Sequence, residues 1–159
     1  MKKLLILCAL FTSLNSVSQN EYFTVSTILD PVASFKERGF DVGAEVEYQG
    51  AVYAAARLEN FEALPGGYTS FTCAVGGNFL MYQDKWRLYS GIRGGVVHRN
   101  GASNGIFGIE VGLEYIFNNN WFIGGRLALD NRQDFIAVGY TPIWRENGYL
   151  RIGYRWKIK

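Results

Sequence analysis

The chain has 159 residues and a formal charge of +2, with 19 glycines, three prolines, two cysteines and 16% aromatic residues. Taking away residues 1–18 removes Lys2 and Lys3 and no acid, so the remainder is formally neutral, with fourteen bases against fourteen acids. Neutrality excludes the basic footprint of a nucleic-acid binder, and the one remaining thiol, Cys73, excludes both a disulfide framework and a cysteine-type zinc site.

Residues 1–18 open with Lys2 and Lys3, run through the apolar stretch Leu4–Phe11 and end with Ser16 and Ser18 at small-residue spacing. This predicts a secretory signal peptide cleaved after Ser18, leaving residues 19–159 as one domain. The apolar stretch has eight residues, too few for a spanning helix, which takes about 20. Cys8 follows Leu5, Ile6 and Leu7 rather than the small residue of a lipoprotein cleavage box.

Beyond the leader, period-two alternation punctuated by Gly, Asn and Asp predicts eight β-strands. They are Tyr22–Leu29, Gly39–Tyr48, Ala51–Phe61, Tyr68–Tyr82, Trp86–His98, Ile106–Phe117, Trp121–Asp130 and Gly148–Ile158. Gln49-Gly50, Gln83-Asp84-Lys85 and Asn118-Asn119-Asn120 read as tight turns. Asp30–Arg38, Glu62–Gly67, Arg99–Gly105 and Asn131–Asn147 read as longer, irregular connections. Short and long connections alternate, the pattern of an all-β, antiparallel up-and-down transmembrane barrel with periplasmic turns at one end and external loops at the other. The segment Asp134–Trp144 has strand character of its own. Placed in the last external loop it extends the flanking strands above the membrane; counted as a strand, with another around residues 31–38, it makes a ten-stranded barrel.

The two phases of the alternation carry different chemistry. In the second strand Phe40, Val42, Ala44, Val46 and Tyr48 oppose Asp41, Gly43, Glu45 and Glu47; in the fifth, Trp86, Leu88, Ile92 and Val96 oppose Arg87, Tyr89 and Arg93. The sixth sets Phe107, Ile109, Val111, Leu113, Tyr115 and Phe117 against Gly108, Glu110, Gly112 and Glu114. The last sets Ile152, Tyr154, Trp156 and Ile158 against Arg151, Gly153, Arg155 and Lys157. Across the chain the polar phase holds Asp41, Glu45, Glu47, Glu59, Glu110, Glu114 and Asp130 together with Arg57, Arg87, Arg93, Arg126, Arg151, Arg155 and Lys157. An unpaired charge in a narrow lumen costs several kcal/mol, so equal numbers of opposite sign predict a paired network filling the interior.

A soluble sandwich would instead leave these charges in water and bury the apolar phase sheet on sheet. The aromatic residues oppose that reading. Tyr48, Trp86, Tyr115, Phe117, Trp121 and Trp156 lie by the short turns or the C-terminus, and Phe40, Phe61, Tyr68, Phe71 and Phe107 lie near the other strand ends. Two girdles separated by an aliphatic band suit the two interfaces of a membrane.

The end of the chain, Arg151-Ile-Gly-Tyr-Arg-Trp-Lys-Ile158, resembles the terminal signal by which outer-membrane barrels are recognised for assembly. Arg151, Gly153, Trp156 and Ile158 occupy its four defined positions, and Lys159 departs from the usual aromatic ending. With the leader, the strand count and the girdles, residues 19–159 resemble the small outer-membrane β-barrel superfamily. The resemblance implies insertion by the barrel-assembly machinery, contact with outer-membrane lipid, and an outer-membrane location in a Gram-negative cell. It implies no particular activity, since such barrels include structural proteins, adhesins and a few lipid-modifying enzymes.

Residues that carry chemistry are sparse. His98, the one histidine, ends the fifth strand near an external loop, where barrel enzymes acting on lipid A keep catalytic residues. Its surroundings, His98-Arg99-Asn100-Gly101, lack the His-any-Ser pattern of lipid A deacylases, and no acid stands close in sequence to Ser90 or Ser103. A nucleophile, a base and an orienting acid are all needed for acyl transfer, so no catalytic residue is assigned. Scattered carboxylates with one His and one thiol give no metal-ligand spacing, and no cofactor motif is present. Cys73 shares the phase of Phe71 and Val75, as expected of a small lipid-facing or packing residue. The pairs Gly76-Gly77, Gly94-Gly95 and Gly124-Gly125 sit inside strands, where they allow curvature and close packing. The expected protein is thus a non-enzymatic envelope barrel with a closed, charge-paired lumen, with a narrow solute channel and a lipid-modifying enzyme as alternatives.

Overall fold

The computed structural model describes residues 20–63, 67–81, 85–118, 120–137 and 144–158. The expected signal peptide lies outside them. Eight strands, β1 (Tyr22–Leu29), β2 (Gly39–Gln49), β3 (Val52–Ala63), β4 (Tyr68–Met81), β5 (Trp86–Arg99), β6 (Ala102–Phe117), β7 (Trp121–Arg132) and β8 (Trp144–Lys157), form one antiparallel sheet. β8 pairs back onto β1 with Trp156 opposite Phe23, and the barrel is closed. Closure removes the open edges that a sheet surrounded by lipid could not tolerate. Two short helices, α1 (Pro31–Glu37) and α2 (Asp134–Ala137), sit at the end of the barrel away from the termini.

Among the described residues, neither segment that might have added a strand does so. Residues 31–37 make α1, because Asp30 supplies an N-cap, its carboxylate accepting the Ala33 N–H at 2.8 Å, and Pro31 starts the helix with its φ already set. Asp134–Ala137 makes α2, and β8 begins at Trp144; residues 138–143 lie outside the described residues. The ten-strand alternative is therefore corrected to eight. Arg99–Gly105 is also not an irregular loop. β5 and β6 continue pairing to Arg99 opposite Ala102, and Asn100 and Gly101 turn the chain with φ of 51° and 79°. Those positive angles are what a tight two-residue hairpin requires.

The barrel is inverted relative to a soluble protein. Its outward side chains are Val46, Leu58, Phe71, Ile92, Ile109, Leu127 and Ile152 and their neighbours, all exposed, whereas the inward positions hold the charges. An apolar surface wrapping the whole wall calls for a nonpolar surrounding. No helix among the described residues is long and apolar enough to cross a membrane, so any crossing is by strands. Trp86, Tyr115, Phe117, Trp121 and Trp156 are outward at the end that holds the termini, with Trp86 on Tyr115 at 4.9 Å and Tyr154 on Trp156 at 4.9 Å. At the opposite end Phe40, Phe71 and Phe107 are outward, but Phe61 and Tyr68 are not. They stack on each other inside the mouth at 5.1 Å and are 1% and 4% exposed, which corrects their assignment to the outer girdle.

Small residues are demanded where inward side chains crowd. A Cβ added to Gly112 would fall within the Tyr89 ring, while one added to outward Gly94 would meet only the Ile106 carbonyl, at 3.6 Å. Gly112→Val should therefore cost at least about 1–3 kcal/mol by overpacking and deplete the folded, heat-modifiable gel band, whereas Gly94→Val should leave it intact. Equal bands for the two variants would contradict this placement of the strand faces.

Candidate functional site

The polar phase of the strands turns the charges into a lumen too narrow for water to solvate them, and the geometry is set by which strands carry length. β1 and β4 contribute mostly short side chains, among them Thr24 and Ser26 on β1 and Ser70, Thr72 and Ala74 on β4. The long acids and arginines come from the other six strands and meet between those two walls.

In the half nearer the termini, Arg87 donates to Glu114 at 2.8 Å, to Asn78 at 2.8 Å and to Glu47. Arg151 donates to Glu47 and to the Tyr89 hydroxyl, each at 2.9 Å, and pairs also with Glu114 and Glu45. At mid-barrel Arg57 grips Glu110 with two parallel bonds of 2.6 and 2.7 Å and donates through Nε to Glu45, while Arg126 donates to Glu45 at 2.6 Å. Tyr53 completes Glu110 with a hydroxyl bond of 2.7 Å. All four acids and all four arginines are buried. The Arg57–Glu110 pair is of the strong, orienting two-point kind, and the bonds between non-neighbouring strands join β2 to β5, β7 and β8, and β6 to β3 and β8.

Nearer the outer mouth, Arg93 lies 3.4 Å from both Glu59 and Asp130, and Tyr149 bridges Arg93 to Glu59. Asp41 accepts from the Tyr68 hydroxyl at 3.1 Å. At the other mouth Arg155 lies over the Tyr22 ring at 4.3 Å, beside a small recess bounded by Gln49, Asn78 and Arg87. Of the fourteen residues assigned to the lumen from the sequence, Lys157 departs: it is exposed, since β8 runs past the rim before it ends.

Three arginines absent from that assignment, Arg99, Arg132 and Arg145, close the outer mouth. Their guanidinium carbons lie 5.0, 4.3 and 5.3 Å from the centre of the Tyr68 ring, with Phe135 of α2 against the same three groups. Asp134 accepts from Arg132 at 2.8 and 3.0 Å and lies 3.2 Å from Arg99. From the other side Ala33 of α1 enters a buried cluster with Phe61, Tyr68, Val97 and Ile106. Both external helices are thereby pinned into the mouth. Their two carboxyls move in opposite directions. Burial pushes Asp30 up, against the Ala33 N–H and the charge of Arg145. Burial also acts on Asp134, but the Arg132 hydrogen bonds and the charges of Arg132 and Arg99 outweigh it and hold the group below its ordinary range.

Outside the wall, His98 is exposed and its Nδ1 lies 3.1 Å from Ser103 Oγ, directly across the β5–β6 pair. Thr69, its neighbour on the other side, donates to Asn60 at 3.0 Å. Among the described residues no carboxylate bonds to His98, and no group of three or more His, Cys, Asp or Glu side chains is placed to hold a metal ion. Cys73 is an exposed free thiol on the outward face of β4. In the terminal strand Arg151 is committed to the lumen and Gly153 is buried, where an added Cβ would meet Phe122 and Ser26 at 2.6 Å. Trp156 and Ile158 face outward, 47% and 57% exposed.

No protein-family model matches the chain, and no curated protein sequence matches it. Among solved structures it is similar to the N-terminal β-barrel domain of Pseudomonas aeruginosa OprF, with a TM-score of 0.57, 16% identity, and coverage of 87% of this chain and 100% of that one. It is also similar to Neisserial surface protein A, with a TM-score of 0.56 at 13% identity over 87% of this chain and 97% of that one. The outer membrane enzyme PagL gives a TM-score of 0.51 at 15% identity, over 82% and 97% of the two chains. The fold is that of the eight-stranded outer-membrane β-barrels.

Two outcomes test the site. Arg57→Met leaves Glu110 without its two-point partner and should cost about 3–5 kcal/mol in urea unfolding from lipid vesicles, part of it recovered when Glu110→Gln is added. An unchanged midpoint would show the network to be ornamental. Asp134, its folded pKa lying below the unfolded value, adds stability above about pH 3.9 and loses it as pH falls through the folded value. Asp134→Asn should thus lower the hydrogen-exchange protection of α2 about tenfold at pH 7, with little difference from wild type in strong acid.

Proposed function

We propose that this small outer-membrane β-barrel protein is a non-enzymatic, non-conducting element of the envelope. The observation that carries the reading is the lumen. Its acids and arginines are paired with each other across the full cross-section, with arginine–aromatic contacts over the outer mouth. An eight-stranded barrel leaves an interior that side chains can just fill, and a solute would have to displace several charge-assisted bonds at once. Lipid contact follows from the outward apolar wall, and the surface left for a partner is the external rim.

The assembly role of the terminal strand belongs to the same proposal. Trp156 and Ile158 remain on the lipid face, but β8 is paired along both edges in the closed barrel. The barrel-assembly machinery would therefore read this strand before β1 joins it. Export by a signal peptide comprising residues 1–18 completes the route.

The likeness to an enzyme favours one second reading, a lipid-modifying activity at His98 and Ser103. The 3.1 Å contact suits a base and a nucleophile, but a histidine that acts as base needs an orienting partner on its other nitrogen. Two measurements separate the readings. Purified protein in planar bilayers should give no steady open-channel current, and a sustained conductance would overturn the closed lumen. Outer membranes with and without the protein should carry lipid A of the same mass; a mass shift lost in His98→Ala would establish the enzyme.

A further inference from the structure

Helix α1 does more than fill the mouth, and the directions of its side chains show where its other face goes. Successive residues of a helix are turned by about 100°, so Phe35 points about 200° away from Ala33. Ala33 is buried with Phe61, Tyr68, Val97 and Ile106, which belong to β3, β4, β5 and β6. The helix itself lies against β2 and β8, on the opposite side of the mouth, with Val32 over Gly148. Phe35 therefore points back across the rim, away from the lumen, and is 87% exposed. Lys36 follows it over the edge: its Nζ lies 3.1 Å from Oε2 of Glu146, an outward residue of β8.

Directly below this overhang the outer wall is apolar, with Leu29 on β1, Phe40 on β2 and Leu150 on β8 all exposed. Phe40 stands eight residues along β2 from Tyr48 of the inner girdle. At a strand rise of about 3.4 Å and a tilt of about 40°, that is about 21 Å of height, against an apolar band about 25 Å tall in such barrels. Phe40 thus marks the outer edge of the band, and Phe35 precedes it by five residues on the helix that leads into β2.

We propose that α1 is an interfacial anchor, with Phe35 seated in the outer leaflet at the boundary between headgroups and acyl chains. Its occupant is bilayer lipid rather than a protein partner, because the exposed ring continues the lipid-facing wall. An exposed phenylalanine at that depth gains by moving an apolar ring from water into the acyl region, with no polar group to desolvate. The charges around it give no preference for anionic lipid: Lys36 is paired with Glu146, and Arg38 is offset by Glu62, which lies across from Phe40. The helix is held on this side of the barrel by the buried Ala33 and the Asp30 cap, the exposed Lys36–Glu146 bridge adding little.

The test is a nitroxide label at Phe35→Cys in a Cys73→Ala background, in phosphatidylcholine vesicles, with Ala102→Cys at the β5–β6 turn as the water-exposed reference. Power saturation should show the label at position 35 colliding with oxygen several-fold more, relative to a water-soluble nickel chelate, than the label at position 102. The ratio should be unchanged by adding phosphatidylglycerol. A nickel-dominated ratio like that of the reference would overturn the anchor. So would protection from both quenchers, which would place the ring in a protein contact, and so would insertion that appears only with phosphatidylglycerol.

Discussion

Everything in this barrel depends on the requirement that a buried charge must find an opposite charge. Four acids and four arginines occupy the central lumen, and none of them is solvated. Each carboxylate therefore has to be met from another strand, and the meeting fixes the stagger of the whole sheet. A slip of one residue would turn every lumen charge into lipid, and a slip of two would keep the faces but separate the partners. Glu45 illustrates how tightly this is drawn: it receives Arg57, Arg126 and Arg151 from three different strands. Buried ion pairs are seldom a net source of stability. Their value is specificity, since this closure is the arrangement that brings each acid of the central lumen to an arginine on another strand.

The second constraint is imposed by the surroundings and acts on the opposite face. Lipid accepts Val, Ile, Leu and Phe at no cost and accepts no unpaired backbone group, so the wall must be apolar and the sheet must close. The two constraints share a single period-two pattern, each strand serving the lumen on one phase and lipid on the other. Glycine mediates between them. At Gly112 the inward position is left empty so that Tyr89 can reach Arg151, which holds Glu47 and Glu114 in turn.

That shared pattern explains what sequence reasoning could reach. Parity along a strand is visible in the residues, so the eight strands and the buried identities of Glu45, Arg57, Glu110 and Arg151 follow from it. The same parity contains corrections that a reading by height alone misses. Phe61 is in phase with Arg57 and Glu59, and Tyr68 with Ser70 and Thr72, so both belong inside. Arg99 and Arg132 continue the phases of Arg93 and Asp130, one or two residues past where the strands seemed to stop. Lys157 has the correct phase but lies beyond the rim, where phase no longer decides burial. What parity cannot supply is pairing: Arg57 meets Glu110 and Arg126 meets Glu45 across 53 and 81 residues, and those contacts depend on the barrel's stagger. Helix α1 left only an Asp-Pro start as its signal, because seven residues are too few to show a helical period.

Where the lumen satisfies itself, the chemistry left to engage anything else must lie on the outer rim. There the strands rise past the apolar band and their outward positions become polar, as at Asn60, Thr69, His98 and Ser103 on four successive strands. These side chains bond to one another along the sheet rather than converging on a point. A row of that kind marks a boundary between lipid and water more readily than it builds a catalytic centre, because catalysis needs convergent groups with one of them activated. The rim is also where α1 and α2 fold inward over the mouth. On the function proposed here, a barrel built this way couples to its environment through the membrane it displaces and the polar rim it presents, and its interior serves to hold that shape.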